Sequence, residues 1–84
     1  MKEVNYVTSG TCSRMIHVEL DDNNIVQNVQ FVGGCHGNTQ GISALVKGQK
    51  AEDIIQRVRG IKCGARPTSC PDQLSFALEQ AIQQ

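Results

Sequence analysis

The chain has 84 residues, eight Lys and Arg against eight Asp and Glu, and three aromatics, Tyr6, Phe31 and Phe76. That length holds one domain, 1–84, with a small core. The balanced charge and few aromatics argue against nucleic-acid binding by a basic stripe with stacking, and no apolar run nears the ~18 residues of a membrane span.

The N-terminal segment, Met1 to Val7, lacks the apolar centre of a signal peptide, so a cytoplasmic protein is expected. Residues 4–8 alternate weakly and predict a short edge strand. Ser9 to Ser13 form a small-residue loop with Cys12 just before the next strand. Residues 14–20 alternate cleanly, with Ile16, Val18 and Leu20 on one face and Met15, His17 and Glu19 on the other. His17 reads as a surface residue. Asp21-Asp22-Asn23-Asn24 is a turn cluster, because Asp and Asn accept left-handed and side-chain-bonded turns. Residues 25–32 give the return strand of an antiparallel hairpin, with Ile25, Val29 and Phe31 on one face.

Gly33-Gly34-Cys35-His36-Gly37-Asn38 follows, a cysteine among three glycines. Its G-G-x-x-G is a weak phosphate-loop signal, and nothing in the chain requires a nucleotide. Asn38 is a good N-cap for a helix over 38–47 with Ile42, Leu45 and Val46 as its apolar stripe. Gly48 stops it. A second helix over 51–59 buries Ile54, Ile55 and Val58. Its basic end, Arg57 and Arg59, suits the dipole and otherwise reads as a solvated face. Gly60 closes it, and Ile61 is expected to pack back.

Thr68-Ser69-Cys70-Pro71-Asp72 opens the last helix. Ser69 with Asp72 has capping-box spacing, and Pro71 sits in the first turn, where its missing N–H costs nothing. Leu74, Ala77, Leu78, Ala81 and Ile82 form an amphipathic stripe. Strands followed by helices predict an α+β fold, a small antiparallel sheet of about three strands with three helices packed on one face.

The four cysteines, Cys12, Cys35, Cys63 and Cys70, are separated by 22, 27 and six residues, with no C-x-x-C. None sits in an apolar stripe. Without an export signal, metal or redox chemistry is favoured over disulfides. Cys12 precedes one hairpin strand and Cys35 follows the other, so both belong to one end of the ladder. Cys35 also precedes a helix and Cys70 begins one, and a helix N-terminus favours a thiolate. If both helix starts face that end, three thiols converge, and Cys63 could be a fourth. Four thiolates close a zinc site and equally suit an Fe–S cluster. His36 reads as a loop residue or a donor to a ligand. Asp72 could serve as a base, but capping explains it more simply. The rival readings are a thiol redox protein, with Cys70 as nucleophile and Cys63 as resolving partner, and plain structural cysteines.

Thr68-Ser69-Cys70-Pro71-Asp72-Gln73-Leu74, with Gly33 to Asn38 and Gly60-Ile61-Lys62-Cys63, resembles the TSCPD domain. That domain is a C-terminal extension of adenosylcobalamin-dependent ribonucleotide reductases and also occurs as small standalone proteins. The resemblance spans Cys12 to Ile82. It implies a module accessory to ribonucleotide reduction, with a reductase or another protein as partner. It does not imply reductase activity, because 84 residues cannot hold the reductase barrel with its nucleotide and cobalamin sites.

A more distant resemblance is to iron–sulfur scaffolds of the IscU/NifU type, through Cys12, Cys35, Val46-Lys47-Gly48 and Cys70. It implies a SufE/NifU-like fold and converging thiols, with cluster assembly or sulfur acceptance as a further possible role. Two departures separate this chain from that family. Arg14 stands where the scaffolds carry the aspartate that keeps a cluster labile. Cys63-Gly64-Ala65-Arg66-Pro67 stands where they carry a Leu-Pro-Pro-Val-Lys docking motif.

Overall fold

The computed structural model describes residues 1–10, 13–33 and 36–84. Three antiparallel strands, β1 (Lys2–Val7), β2 (Ser13–Leu20) and β3 (Val26–Gly33), form a sheet in the order β1-β2-β3. Three helices follow, α1 (His36–Val46), α2 (Ala51–Val58) and α3 (Cys70–Ile82). This is the α+β arrangement that the strand and helix periodicities predict.

β2 is the central strand, and its alternation decides which face is covered. Ile16, Val18 and Leu20 are fully buried. They meet Leu74, Ala77, Leu78 and Ala81, also fully buried, in a single apolar cluster. α3 lies across β1 and β2, α1 lies on β3, and α2 packs on α3. Ala77 and Ala81 present small side chains, so the α3 backbone can approach the sheet closely. Val4, Tyr6 and Phe31 complete the same face from the edge strands.

The β2–β3 hairpin forms, with one correction to its phase. Val26 and Val29 are buried, whereas Ile25 is only half-buried and lies outside β3. Leu20 pairs with Val26 and Glu19 with Asn28, so Gln27 is an extra residue in β3. Such a bulge shifts the inward set by one position. The Asp/Asn turn behaves as its composition suggests. Asp21 Oδ1 accepts from the N–H groups of Asn23 and Ile25, both at 2.9 Å, and Asn24 takes the left-handed conformation at φ 63°.

Two element starts and one buried position differ from the sequence pattern. β1 begins at Lys2, two residues earlier than its alternation suggests. α1 begins at His36, so Asn38 is its third residue and not its N-cap. Leu45, assigned to the apolar stripe of α1, is 77% exposed, while Val46 is buried. The reason lies in the α1–α2 connection, which is tied to the start of β3. Gly48 N–H donates to Val26 O, Val26 N–H to Gln49 O and Ala51 N–H to Asn24 O, each at 2.9 Å. These bonds fix the end of α1 with Val46 inward and Leu45 turned outward.

Leu78 and Leu45 therefore have opposite expectations despite similar sequence patterning. Leu78→Ala should lower unfolding free energy by about 2–5 kcal/mol, as a core truncation that leaves a cavity. Leu45→Ala should change it by less than about 0.5 kcal/mol. Denaturant midpoints at constant m-value check both.

Candidate functional site

The start of α3 is built by four polar side chains, three of them within the Thr68–Asp72 stretch. Ser69 is the N-cap, extended at φ −150°, and its Oγ accepts from Asp72 N–H at 3.2 Å. The same Oγ donates to Ile61 O at 2.6 Å. Thr68 Oγ1 donates to Asp72 Oδ2 and accepts from Gln73 Nε2 at 3.0 Å. Asp72 Oδ1 accepts from Gly60 N–H at 2.7 Å. Gln73 Oε1 accepts from Ser9 N–H at 3.2 Å.

This differs in one respect from a reciprocal capping box. The Asp72 side chain, 6% exposed, does not return to its own N-cap but reaches across to the turn after α2. Gly60 offers its N–H there from a left-handed conformation, φ +90°, that residues with a side chain rarely adopt. Asp72 therefore joins two helices, and its donors are already committed. That geometry replaces the reading of Asp72 as a base.

Arg59 is also more than a solvated residue. It lies just beyond α2, where its Nε donates to Ser75 Oγ at 3.1 Å and its Nη2 meets Glu79 Oε2 at 3.2 Å. Its guanidinium stacks 4.6 Å from the Phe76 ring centroid. Ile61 is 44% exposed, so its backbone, rather than its side chain, packs back. Among the described residues, no buried side-chain N or O lacks a hydrogen-bond partner.

The network sets the position of two cysteines. Cys70 is the first residue of α3 and half-buried, and Cys63 is exposed. The Cys63 loop is stitched to the motif by Cys63 N–H to Thr68 O at 3.1 Å, and closed by Arg66 N–H to Cys63 O at 3.0 Å. Cys63 and Cys70 line one cleft of about 500 Å³. Its other walls include Gly37 and Asn38 from the first turn of α1, Ile42 and Leu45 further along it, and Pro71. The starts of α1 and α3 thus face a common space, and no carboxylate lines it among the described residues. A donor set of thiols suits soft or borderline metals such as Zn²⁺ and iron in Fe–S clusters, and not Mg²⁺ or Ca²⁺. Cys12 and Cys35, the other two expected ligands, lie outside the described residues.

A family model for the TSCPD domain matches residues 1–82. The chain belongs to the TSCPD domain family. Comparisons with curated proteins and with solved structures return no match. In this TSCPD domain, Thr68, Ser69 and Asp72 form a hydrogen-bonded clamp on the start of α3, Pro71 continues the first turn, and Cys70 lines the cleft.

A second group of polar residues, not anticipated from the sequence, lies on the other face of the sheet. His17, read as a plain surface residue, is half-buried between Asn5, Glu3 and Glu19. Glu19 is held below the ordinary carboxylate range by hydrogen bonds from His17 and Asn28. Only the β1–β2 register brings Glu3 and Asn5 to His17, so the sequence signal was the pairing of strands 2–7 and 15–20.

The clamp carries a stability expectation. Thr68→Val keeps the shape of the side chain but removes a donor to buried Asp72 and an acceptor for Gln73. It should cost about 1–3 kcal/mol, the usual penalty for leaving a buried polar group unmatched. Gly10→Ala should also destabilise, because Gly10 has φ +76° and its added Cβ would meet Thr68 Cγ2 at 2.8 Å. Urea unfolding of both variants is the check.

Proposed function

We propose that this TSCPD domain is a small thiol-based metal-binding module, accessory to ribonucleotide reduction, in which Cys12, Cys35, Cys63 and Cys70 hold Zn²⁺ or an Fe–S cluster. The observation that carries this reading is the shared cleft of Cys63 and Cys70 between the starts of α1 and α3. Chain neighbours of the other two cysteines support it. Ser9 donates to Gln73 at the start of α3, three residues before Cys12 in the sequence. Ser13 pairs with Gly33, two residues before Cys35, and α1 begins one residue after Cys35.

When bound, the metal would supply a cross-link between segments distant in sequence, and binding confined to the folded state adds to stability. The chain's own residues do the positioning. Thr68, Ser69 and Asp72 fix the first turn of α3, which holds Cys70 at the cleft. The bond from Cys63 N–H to Thr68 O keeps the second thiol-bearing loop beside it. The backbone at both cysteines is thereby fixed before a ligand arrives, which reduces the entropy lost on binding. The exposed Leu45 at the cleft rim, with Ile42 and Pro71, supports a protein partner at this side, a reductase by family resemblance.

The exposure of Cys63 in the same cleft as Cys70 favours one rival, thiol exchange with a partner disulfide. Metal analysis and a visible spectrum of anaerobically purified protein separate the two. The metal reading expects stoichiometric zinc or a cluster chromophore, its loss in Cys70→Ser, and a lower Tm after chelation. A metal-free, fully folded protein with four reactive thiols would overturn it. A reversible Cys63–Cys70 disulfide in that same protein would establish the redox reading. If iron is found, transfer of the cluster to an apo-acceptor decides whether the module acts as a scaffold.

A further inference from the structure

The covered face of the sheet is apolar, and the opposite face carries a convergent set of metal-ligating groups. Glu3 of β1 pairs directly with Glu19 of β2, and Asn5 pairs with His17. Like charges placed opposite each other across an antiparallel pair are destabilising unless something positive lies between them. His17 is the group that meets both carboxylates. Its Nε2 is 3.0 Å from Glu19 Oε2 and 3.7 Å from Glu3 Oε1. One ligand atom from each of the three residues can be chosen so that all lie within 4.8 Å of one another.

The far side of the imidazole is fixed. His17 Nδ1 lies 2.6 Å from Asn5 Oδ1, a contact that holds the ring with Nε2 towards the carboxylates. Metal-ligating histidines are commonly oriented in this way, with the second ring N–H given to an oxygen. Asn28 Nδ2 holds Glu19 Oε2 at 3.3 Å from the neighbouring strand. Two of the three candidate ligands therefore have partners that orient them, and all three stand on paired strands.

The spacing and charge suit a divalent ion. Bonds of about 2.1 Å to nitrogen and oxygen put tetrahedral ligand atoms about 3.4 Å apart, between the two observed separations. Two carboxylates facing one imidazole match the charge of a divalent cation. An imidazole with two carboxylates selects a borderline cation over Mg²⁺ or Ca²⁺, which prefer all-oxygen shells.

We propose that Glu3, His17 and Glu19 form a second, thiol-independent site for a divalent cation of the Zn²⁺ class on the open face of the sheet. Three protein ligands leave a coordination position for water or for a donor from another molecule.

The test is a Zn²⁺ titration of the full chain with its thiols alkylated, followed by NMR of the His17 ring and by calorimetry. The expected result is a saturable shift of the His17 ring resonances and a binding heat lost in His17→Gln. Asn5→Ala should weaken binding by about 10- to 100-fold, as removal of an orienting partner does. Glu3→Gln, an exposed change that spares the fold, should weaken it further. His17 resonances unmoved by excess Zn²⁺, or equal binding heat in His17→Gln, would overturn the site. Should alkylation unfold the chain, Co²⁺ on the unmodified protein replaces it. Thiolate ligation gives charge-transfer absorption, and the His17 set gives none. A cobalt species that keeps its full stoichiometry in His17→Gln would also overturn the proposal.

Discussion

A buried carboxylate must be matched by donors, and Asp72 draws its donors from two segments. Gly60 N–H comes from the turn after α2, and Thr68 Oγ1 comes from the loop before α3. Because the carboxylate is nearly inaccessible to water, loss of either donor exposes the remaining charge to a poorly compensated interior. The connection from α2 to α3 is thereby held at both ends. Ser69 adds to it by accepting from the Asp72 N–H while donating to Ile61 O. The loop from Ile61 to Pro67 carries little apolar burial of its own. These polar ties, with the bond from Cys63 N–H to Thr68 O, give it a defined shape.

The core and the clamp reinforce each other. α3 supplies Leu74, Ala77, Leu78 and Ala81 to the face made by Ile16, Val18 and Leu20. The clamp fixes where α3 begins, and hence which of its residues point at the sheet. A shift of one residue at the N-cap would rotate the helix by about 100° and move that stripe away from the core. Domains of this size bury a modest fraction of their surface, so such local constraints weigh heavily in the balance. Arg59, lying across Phe76 and paired with Glu79, closes the outer side of the same helix.

Alternation and capping signals made most of this architecture legible. The inward set of β2, the Asp/Asn turn, the Ser69 cap and the α3 stripe all follow from short-range rules that tertiary packing did not override. The failures have long-range causes. Leu45 was assigned inward by period, but the backbone bonds between residues 48–51 and 24–26 set the end of α1. Ile25 lost its place to Val26 because Gln27 forms a bulge. Arg59 and His17 looked like solvated residues until their neighbours on other elements were known. For the candidate site, the placing of Cys70 at a helix start was legible, and the cleft that it lines with Cys63 and the first turn of α1 comes from the fold. The Glu3–His17–Glu19 group was not legible, because strand register, and no motif, assembles it.

A family motif need not be a list of reacting groups, and this one divides by role. Thr68, Ser69 and Asp72 are consumed by hydrogen bonds that fix backbone, and Pro71 suits the first helical turn without demanding a donor. Cys70, the first residue of α3, lines a cleft together with Cys63. The division explains why so polar a sequence can be so buried: its oxygens are spent on structure. It also separates the thiols from the imidazole–carboxylate group in kind as well as in place. Thiolates favour softer and cluster-forming metals, whereas imidazole with carboxylates takes borderline cations. Cys63 and Cys70 belong to the helical side of the sheet, and Glu3, His17 and Glu19 to its open face.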